Sequence, residues 1–356
     1  MTAVVSLTPA PVIDRTYFVE TFDEGKVNRA FDQQEFLSGK GLNVSRTLRS
    51  AKVPTSAVLP IGREDEHLLF RTPHPHILRI LRIPGRMRVN TAVLEPDGRT
   101  TNINQAAVPI PAEDWRAVVE MTIREIESLG ADWLVVSGAV PKLAESGEPL
   151  DFEELFRETR RLGTRIALDS SGPSLERLLR TGRVDLVKPN TDELATMTGR
   201  HLHSVGDVLD TARELIGECG LEVALVSMGA DGALAVTRKE AWWGLAQAPA
   251  VVNTTGAGDA TLAGFVGHSV QGAGRSGGRP DYGERPPLLV RRGLGYAVSY
   301  GALAVSVPTT IIESLETLPE AVVERPDPAR PLSEPTKFLD AAGPGAVGGP
   351  GAVGAR

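Results

Sequence analysis

The sequence predicts an α/β fold, a mostly parallel doubly wound sheet with helices on both faces and a small β appendage inserted near its start. Short β-branched runs alternate with longer segments of helical period, which is the sign of successive βαβ units. The clearest runs, Trp133 to Ser137, Arg165 to Asp169, Leu186 to Lys188 and Val223 to Ser227, each end in a polar or Gly-containing loop. A length of 356 residues suits one large α/β domain, here residues 1–320, with or without a small appendage.

Taken in order, the apolar run before Thr8 reads as a first strand, since it has no positive flank and is too short for a signal peptide. The pattern then changes to short strands at Tyr17 to Val19, Arg29 to Phe31 and Val89 to Leu94, separated by turns that include Pro96-Asp97-Gly98. They mark the β appendage, about residues 12–36 and 87–105. The segment from Arg63 to Arg86 carries His67, His74 and His76, half of the chain's histidines. A His-Pro-His arrangement does not present two ligands at helical spacing, so a reshaped substrate mouth is expected there rather than a zinc site. Residues 271–287, rich in Gly, Pro and Arg, are expected to form an exposed loop. The Pro/Ala/Gly-rich stretch 326–356, with little apolar side chain to bury, is expected to be a disordered tail.

Composition narrows the function. A net charge of −7 with no basic stripe argues against nucleic acid, and no segment is long and apolar enough for a transmembrane helix. The single cysteine, Cys219, has no internal disulfide partner, and a reducing cytoplasm is the expected location.

In open α/β sheets, ligands bind beyond the carboxyl ends of the strands. Ser137-Gly138, Asp169-Ser170, Lys188-Pro189-Asn190 and Ser227-Met228-Gly229 all fall on that edge. The most informative run is Asn253-Thr254-Thr255-Gly256-Ala257-Gly258-Asp259, followed by an apolar, helix-compatible stretch. Its small residues leave the amides of Gly256, Ala257, Gly258 and Asp259 free to converge on an anion at a helix N-terminus. Asp259 in the first turn can accept the proton of an attacking hydroxyl, while a capped tight turn is the alternative. A second glycine turn, Ser38-Gly39-Lys40-Gly41-Leu42-Asn43, leads into an amphipathic helix, where Asn43 offers a donor and an acceptor. The Asn190-x-x-Glu193 spacing fits a capping box, and equally a pair that orders water around Mg²⁺ on ATP phosphates.

Over residues 3 to 320 these motifs resemble those of the PfkB (ribokinase-like) carbohydrate kinases. That family's D-T-x-G-A-G-D run is matched with Asn253 in place of the first Asp, and its G-G-K-G-x-N run with Ser38 in place of the first Gly. The resemblance implies a ribokinase-like three-layer α/β/α fold whose β appendage is a lid and, in some members, a dimer interface. It implies ATP and Mg²⁺, with Asp259 as base, the Gly256 to Gly258 turn as anion hole, and Lys188, Asn190, Glu193, Ser227, Gly229, Gly232 and Thr255 on the nucleotide side. Adenine would lie against the segment Gly295 to Gly301. On the acceptor side it implies Asp14, Gly39, Lys40, Asn43 and Ser137, with Lys26 and Arg88 at the positions that hold a distal phosphate and Arg99 as a weaker third cation. The motifs lean toward the 1-phosphofructokinase and tagatose-6-phosphate kinase branch. Two alternatives stay open, a kinase of the same fold acting on an unphosphorylated sugar, cyclitol or sugar-containing metabolite, and a non-catalytic sugar- or nucleotide-binding regulator. A Rossmann dehydrogenase is disfavoured because no G-x-G-x-x-G follows the first strand.

Overall fold

The computed structural model describes residues 2–270, 285, 287–307, 309–334 and 336. In chain order the elements are β1 (Val4–Leu7), β2 (Val12–Val19), β3 (Ala30–Ser38), α1 (Lys40–Ser50), β4 (Thr55–Gly62), β5 (Leu78–Ile83), β6 (Arg88–Leu94) and β7 (Thr100–Asn104). Then come α2 (Ala112–Leu129), β8 (Trp133–Ser137), α3 (Glu153–Arg161), β9 (Arg165–Asp169), α4 (Gly172–Leu179), β10 (Leu186–Val187), α5 (Thr191–Thr198), α6 (Val205–Cys219) and β11 (Val223–Ser227). The chain continues through β12 (Ala233–Val236), β13 (Ala241–Ala246), α7 (Ala257–His268), α8 (Val290–Ala304) and β14 (Ala321–Glu324).

A ten-stranded sheet runs in the order β14-β13-β12-β11-β10-β9-β8-β1-β4-β5. Its strands from β11 to β5 are parallel, and β12, β13 and β14 add an antiparallel edge. Strand residues alternate between the two faces, so each parallel strand feeds two cores. Trp133 and Val135 pack with Val44 and Leu48 of α1, Leu262 and Phe265 of α7 and Leu294 of α8. Leu134 and Val136 pack on the other face with Val118 of α2, Phe156 of α3 and Val208 of α6. The result is the expected three-layer α/β/α arrangement.

A separate four-stranded sheet, in the order β3-β2-β6-β7, is formed by the inserted segments. Its register places Asp14 beside Asn90, and Val12 beside both Arg88 and Ser38. Paired residues share a face, so Asp14, Asn90, Arg88 and Ser38 point the same way while Ile13 and Val89 turn toward a third core with Leu37, Leu42 and Met87. The segment expected to reshape the substrate mouth folds as 3₁₀ turns at Arg63–Arg71 and Pro75–Ile77, followed by edge strand β5. There Asp65 accepts from Met87 N at 2.7 Å and His76 Nε2 accepts from Arg49 Nε at 2.9 Å, and no metal-binding cluster exists among the described residues.

Most of the expected loop, 271–284 and 286, lies outside the described residues, as do 335 and 337–356 of the expected tail. Arg285 is not exposed as that expectation had it, because its Nη1 lies 2.7 Å from Asp185 Oδ1. The first part of the tail also departs from expectation. Pro328 O accepts from Gly206 N at 3.1 Å, Arg330 O from Val205 N at 2.9 Å, and Leu332 N donates to His203 O at 2.9 Å. Ser333 N donates to Asp231 Oδ2 at 2.7 Å, and Arg330 lies 4.0 Å from the Trp243 ring centroid. Residues 326–334 have few apolar side chains, of which Leu332 packs against the core, and the amide donors at the N-terminus of α6 and an aromatic face also hold them in place.

Candidate active site

The site grows from the N-terminus of α7. Gly256 is its N-cap at φ 85°, a left-handed conformation natural to glycine, and a methyl added there would meet Thr310 at 3.2 Å. This turn aims the first amides of α7 outward. Ala257 N donates to Thr254 O at 3.3 Å, so among the four expected amides it is partly committed to the turn. Thr255 is exposed, and its amide donates to Asn253 Oδ1 at 2.9 Å. At Gly258 a methyl would lie 3.1 Å from Lys188 Nζ, so glycine lets that ammonium settle over the helix entrance.

Asp259 is 5 % exposed and accepts from Asn43 Nδ2 at 3.0 Å. Burial, and next the negative charge of Asp169, push its carboxyl up from 3.8 to about 7. That is where a general base works best at neutral pH. Asp169, at the end of β9, is 1 % exposed. Lys40 Nζ lies 3.4 Å and Lys188 Nζ 3.7 Å from its Oδ1, while Ser137 Oγ donates to Oδ2 at 3.4 Å. Burial opposes its charge, but the two ammonium groups and Ser137 outweigh burial and hold Asp169 below the usual carboxylate range. Lys40 is pushed upward, chiefly by Asp169 and further by Asp259 and Glu193. Asp169 is thus the hub of the site. The sequence marked it only as a strand end, yet its place on the carboxyl edge of the sheet was the available signal.

The N-terminus of α1 links this centre to the four-stranded sheet. Gly39 has φ 147°, and a methyl there would meet Thr8 Cγ2 at 2.6 Å. Thr8 Oγ1 accepts from Leu42 N at 3.0 Å, capping α1 from the β1 side. Ser38, where the motif has glycine, is not at positive φ, and its side chain lies against Asp14 together with that of Asn90. Asp14 is raised by burial, with Ser38, Asn90, Arg88 and Arg46 each acting in the opposite direction. Arg88 donates to Gln105 O at 3.2 Å and Ala10 O at 3.4 Å. Asn43 Oδ1, Asn90 Oδ1 and Arg88 Nε are buried without a hydrogen-bond partner.

The expected phosphate-side cations divide. Arg88 stands beside Asp14, but Lys26 sits in the turn between β2 and β3, 71 % exposed and 3.3 Å from Asp23. Arg99 is paired with Glu95 at the β6–β7 turn. On the nucleotide side, Asn190 Oδ1 accepts from Glu193 N at 2.7 Å and Glu193 Oε2 accepts from Asn190 N at 3.0 Å, a complete capping box. Glu193 nevertheless faces Lys40, so the cap and the site share it. Ser227 N donates to Pro189 O at 3.1 Å. Gly229 and Gly232 turn the next loop at φ 57° and 87°, with Gly232 tight against Gly244 O. The segment expected behind adenine packs around His268 on one side and faces a groove on the other. Tyr300 bonds His268 at 2.8 Å and Tyr296 stacks on the same ring, while Gly295, Tyr296 and Ser299 line a groove of about 700 Å³ with Trp242, Arg291, Arg292 and Val323 that contains none of the other candidate residues.

A doubly wound sheet with a buried carboxylate at a helix N-terminus, two lysines beside it and a glycine turn beneath it defines a small-molecule phosphotransferase. The chain belongs to the pfkB family of carbohydrate kinases, whose model matches residues 1–278. It is 34% identical over 267 residues to the 1-phosphofructokinase of Rhodobacter capsulatus, covering 74% of this chain and 82% of that one. To the 1-phosphofructokinase of Haemophilus influenzae it is 27% identical over 321 residues, covering 89% and 96%. Phosphofructokinase-2 from Escherichia coli in complex with fructose-6-phosphate superimposes with a TM-score of 0.64 at 25% identity, covering 75% of this chain and 86% of that one.

Proposed function

We propose that this protein transfers the γ-phosphoryl group of ATP to a hydroxyl of a sugar phosphate, with fructose 1-phosphate first among the acceptors, then fructose 6-phosphate and tagatose 6-phosphate. The observation that carries the chemistry is Asp259, buried at the entrance of α7, held by Asn43 and poised at about 7. The acceptor hydroxyl gives its proton to Asp259 as its oxygen bonds the γ-phosphorus and the bond to the bridging oxygen of ADP breaks. Amides at the start of α7, together with Lys188, offset the charge on the transferring group, and positioning does most of the remaining work. The orphaned Asn43 Oδ1 and Asn90 Oδ1 are acceptors for sugar hydroxyls, and Arg88 Nε is a donor for the sugar's phosphate. Curated relatives named 1-phosphofructokinase favour the phosphorylated acceptor over a neutral sugar.

The donor set fits Mg²⁺ held through water, because the capping box occupies only one carboxylate oxygen of Glu193 and that residue faces Lys40. Bound with ATP, the ion supplies charge neutralisation on the phosphates. The four-stranded sheet is read as a lid, and exposed Phe31, Phe36 and Ile103 on it support a homodimer through that sheet. No helix among the described residues is long and apolar enough to cross a membrane, and we place the enzyme in the cytoplasm. An ADP-release screen over the three phosphosugars and neutral sugars tests the reading. Turnover of a phosphosugar is expected, and turnover of neutral sugars alone overturns it.

A further inference from the structure

After β14 the chain lies across the molecule as a strap, residues 326–334 and 336, that reaches the loop Gly229 to Gly232. Its path is set at α6, where Gly206 N donates to Pro328 O at 3.1 Å and Val205 N to Arg330 O at 2.9 Å. These are the first two amides of the helix, donors with no partner inside it. A methyl on Gly206 would lie 2.8 Å from Pro328 O, so glycine is what lets the strap come this close. Just before Ser333, Leu332 packs against the core and its amide donates to His203 O at 2.9 Å; just after it, Thr336 Oγ1 accepts from Leu202 N at 3.1 Å. Ser333 is thus held from both directions. Its amide donates to Asp231 Oδ2 at 2.7 Å and its hydroxyl to Asp231 Oδ1 at 2.5 Å. The carbonyl of the same Asp231 accepts from Trp243 Nε1 at 2.9 Å, and Arg330 of the strap covers that indole, 4.0 Å from the ring centroid. The strap therefore reaches Asp231 at its side chain directly and at its main chain through Trp243.

We propose that this strap positions the nucleotide loop for ATP and that Ser333 is the positioning residue through which it acts. The inference rests on the reading of Ser227, Gly229 and Gly232 as part of the nucleotide side. It adds to that reading a segment beyond the family match, which ends at residue 278. Asp231 lies in the 3₁₀ turn Gly229–Asp231, with Gly229 and Gly232 at φ 57° and 87°, and Ser227 at the start of the loop bridges to Asn190 of the capping box. Glycine permits these angles without fixing them, so contacts from outside the turn decide where its amides point. With Asp231 held, the turn is ordered before ATP arrives; with it released, ordering the turn opposes binding.

The test measures binding of ATP with Mg²⁺, without sugar, by calorimetry of full-length wild type, Gly206→Ala, Ser333→Ala, Ser333→Thr and the double variant Gly206→Ala/Ser333→Ala. Phosphosugar KM, kcat and thermal melting are followed alongside. Gly206 lies outside the loop, yet its substitution displaces Pro328 and is expected to weaken ATP binding by about three- to tenfold. Ser333→Ala is expected to weaken it by about threefold, and Ser333→Thr, which keeps both donors, to stay within about twofold of wild type. The double variant binds no more weakly than Gly206→Ala, because a displaced strap no longer presents Ser333 to Asp231. Phosphosugar KM and kcat stay within about twofold throughout. Unchanged ATP affinity beside a lowered melting temperature, equal losses for ATP and sugar, or losses that multiply in the double variant each overturn the proposal. If Gly206→Ala does not fold, the two Ser333 variants decide: a loss that threonine restores supports the role, and any other result refutes it. Wild type that binds no ATP overturns the nucleotide reading itself, whereas ATP binding indifferent to these variants overturns the strap's role alone.

Discussion

Asp259→Asn is expected to lower activity and raise stability at the same time. The folded protein holds the Asp259 proton with a pKa of about 7, against 3.8 for an ordinary aspartate. Because the folded state binds that proton more tightly, this group opposes folding increasingly as pH rises from about 4 toward 7, and the full penalty stands above 7. Linkage gives a penalty well under about 1 kcal/mol at pH 4 that grows to roughly 4 kcal/mol at pH 8. The substitution removes it, while the amide oxygen of the variant still accepts from Asn43 Nδ2. For a chain of this size the gain at pH 8 corresponds to roughly 5 °C in Tm, shrinking to a degree or two near pH 4 to 5. Loss of the base lowers kcat by about 10² to 10⁴. Thermal melts at both pH values and coupled ADP release measure the two effects. A kcat within tenfold of wild type removes Asp259 as base, and a variant no more stable than wild type at pH 8 removes the raised pKa.

Three further outcomes follow from the same geometry. In wild type, kcat/KM falls below about pH 7 as Asp259 takes up its proton; Asp169→Asn removes the neighbouring charge that raises it, so the acid limb moves to lower pH even as kcat drops, and a limb that stays in place or moves up contradicts the coupling. Arg88→Ala raises KM for phosphosugars by roughly ten- to a hundredfold, with ATP KM unchanged, and an equal loss for neutral sugars in the same assay argues against a phosphate contact. Ser333 bonds the Asp231 carboxylate through both its amide and its hydroxyl, so Ser333→Ala loosens the Gly229 to Gly232 turn and raises ATP KM a few-fold, roughly what one charge-assisted hydrogen bond contributes, whereas a change confined to sugar KM refutes the link.

The sequence carried the scaffold of the site well because strand ends and helix entrances are local. Gly256, Asp259, Gly39, Asn43, Asn190 and Glu193 each sit where a turn residue or a cap is legible from neighbouring positions alone. What escaped was set by contacts between distant segments. Asp169 looks like any strand-terminal aspartate until β9 is laid between β8 and β10, which brings Lys40 and Lys188 to it. Lys26 looks equivalent to Arg88 as a motif position, but β2 runs on past Asp14 to Val19, about 17 Å of extended chain, and carries Lys26 beyond the far end of the sheet. The stretch 326–334 was read by its poor apolar content. Its anchors are backbone groups and a cation on Trp243, which composition does not register.

The acceptor end of the site depends on register more than on any single residue. Asp14 and Asn90 are far apart in sequence and meet because β2 and β6 pair in parallel, with Val12 opposite Arg88. Side chains alternate along a strand, so a slip of one residue would turn Asp14 away from Arg88 and Asn90 and drive Ile13 or Val89 out of the core they share with Leu37 and Leu42. The apolar residues on one face therefore fix which polar residues assemble on the other. Ser38 belongs to the same device. It closes β3 opposite Val12, which explains why a hydroxyl replaces glycine there without strain and reaches Asp14. On the proposed reading, the acceptor side is thus assembled by packing between the two sheets and the phosphoryl-transfer centre by α7, with α1 tying them together through Asn43.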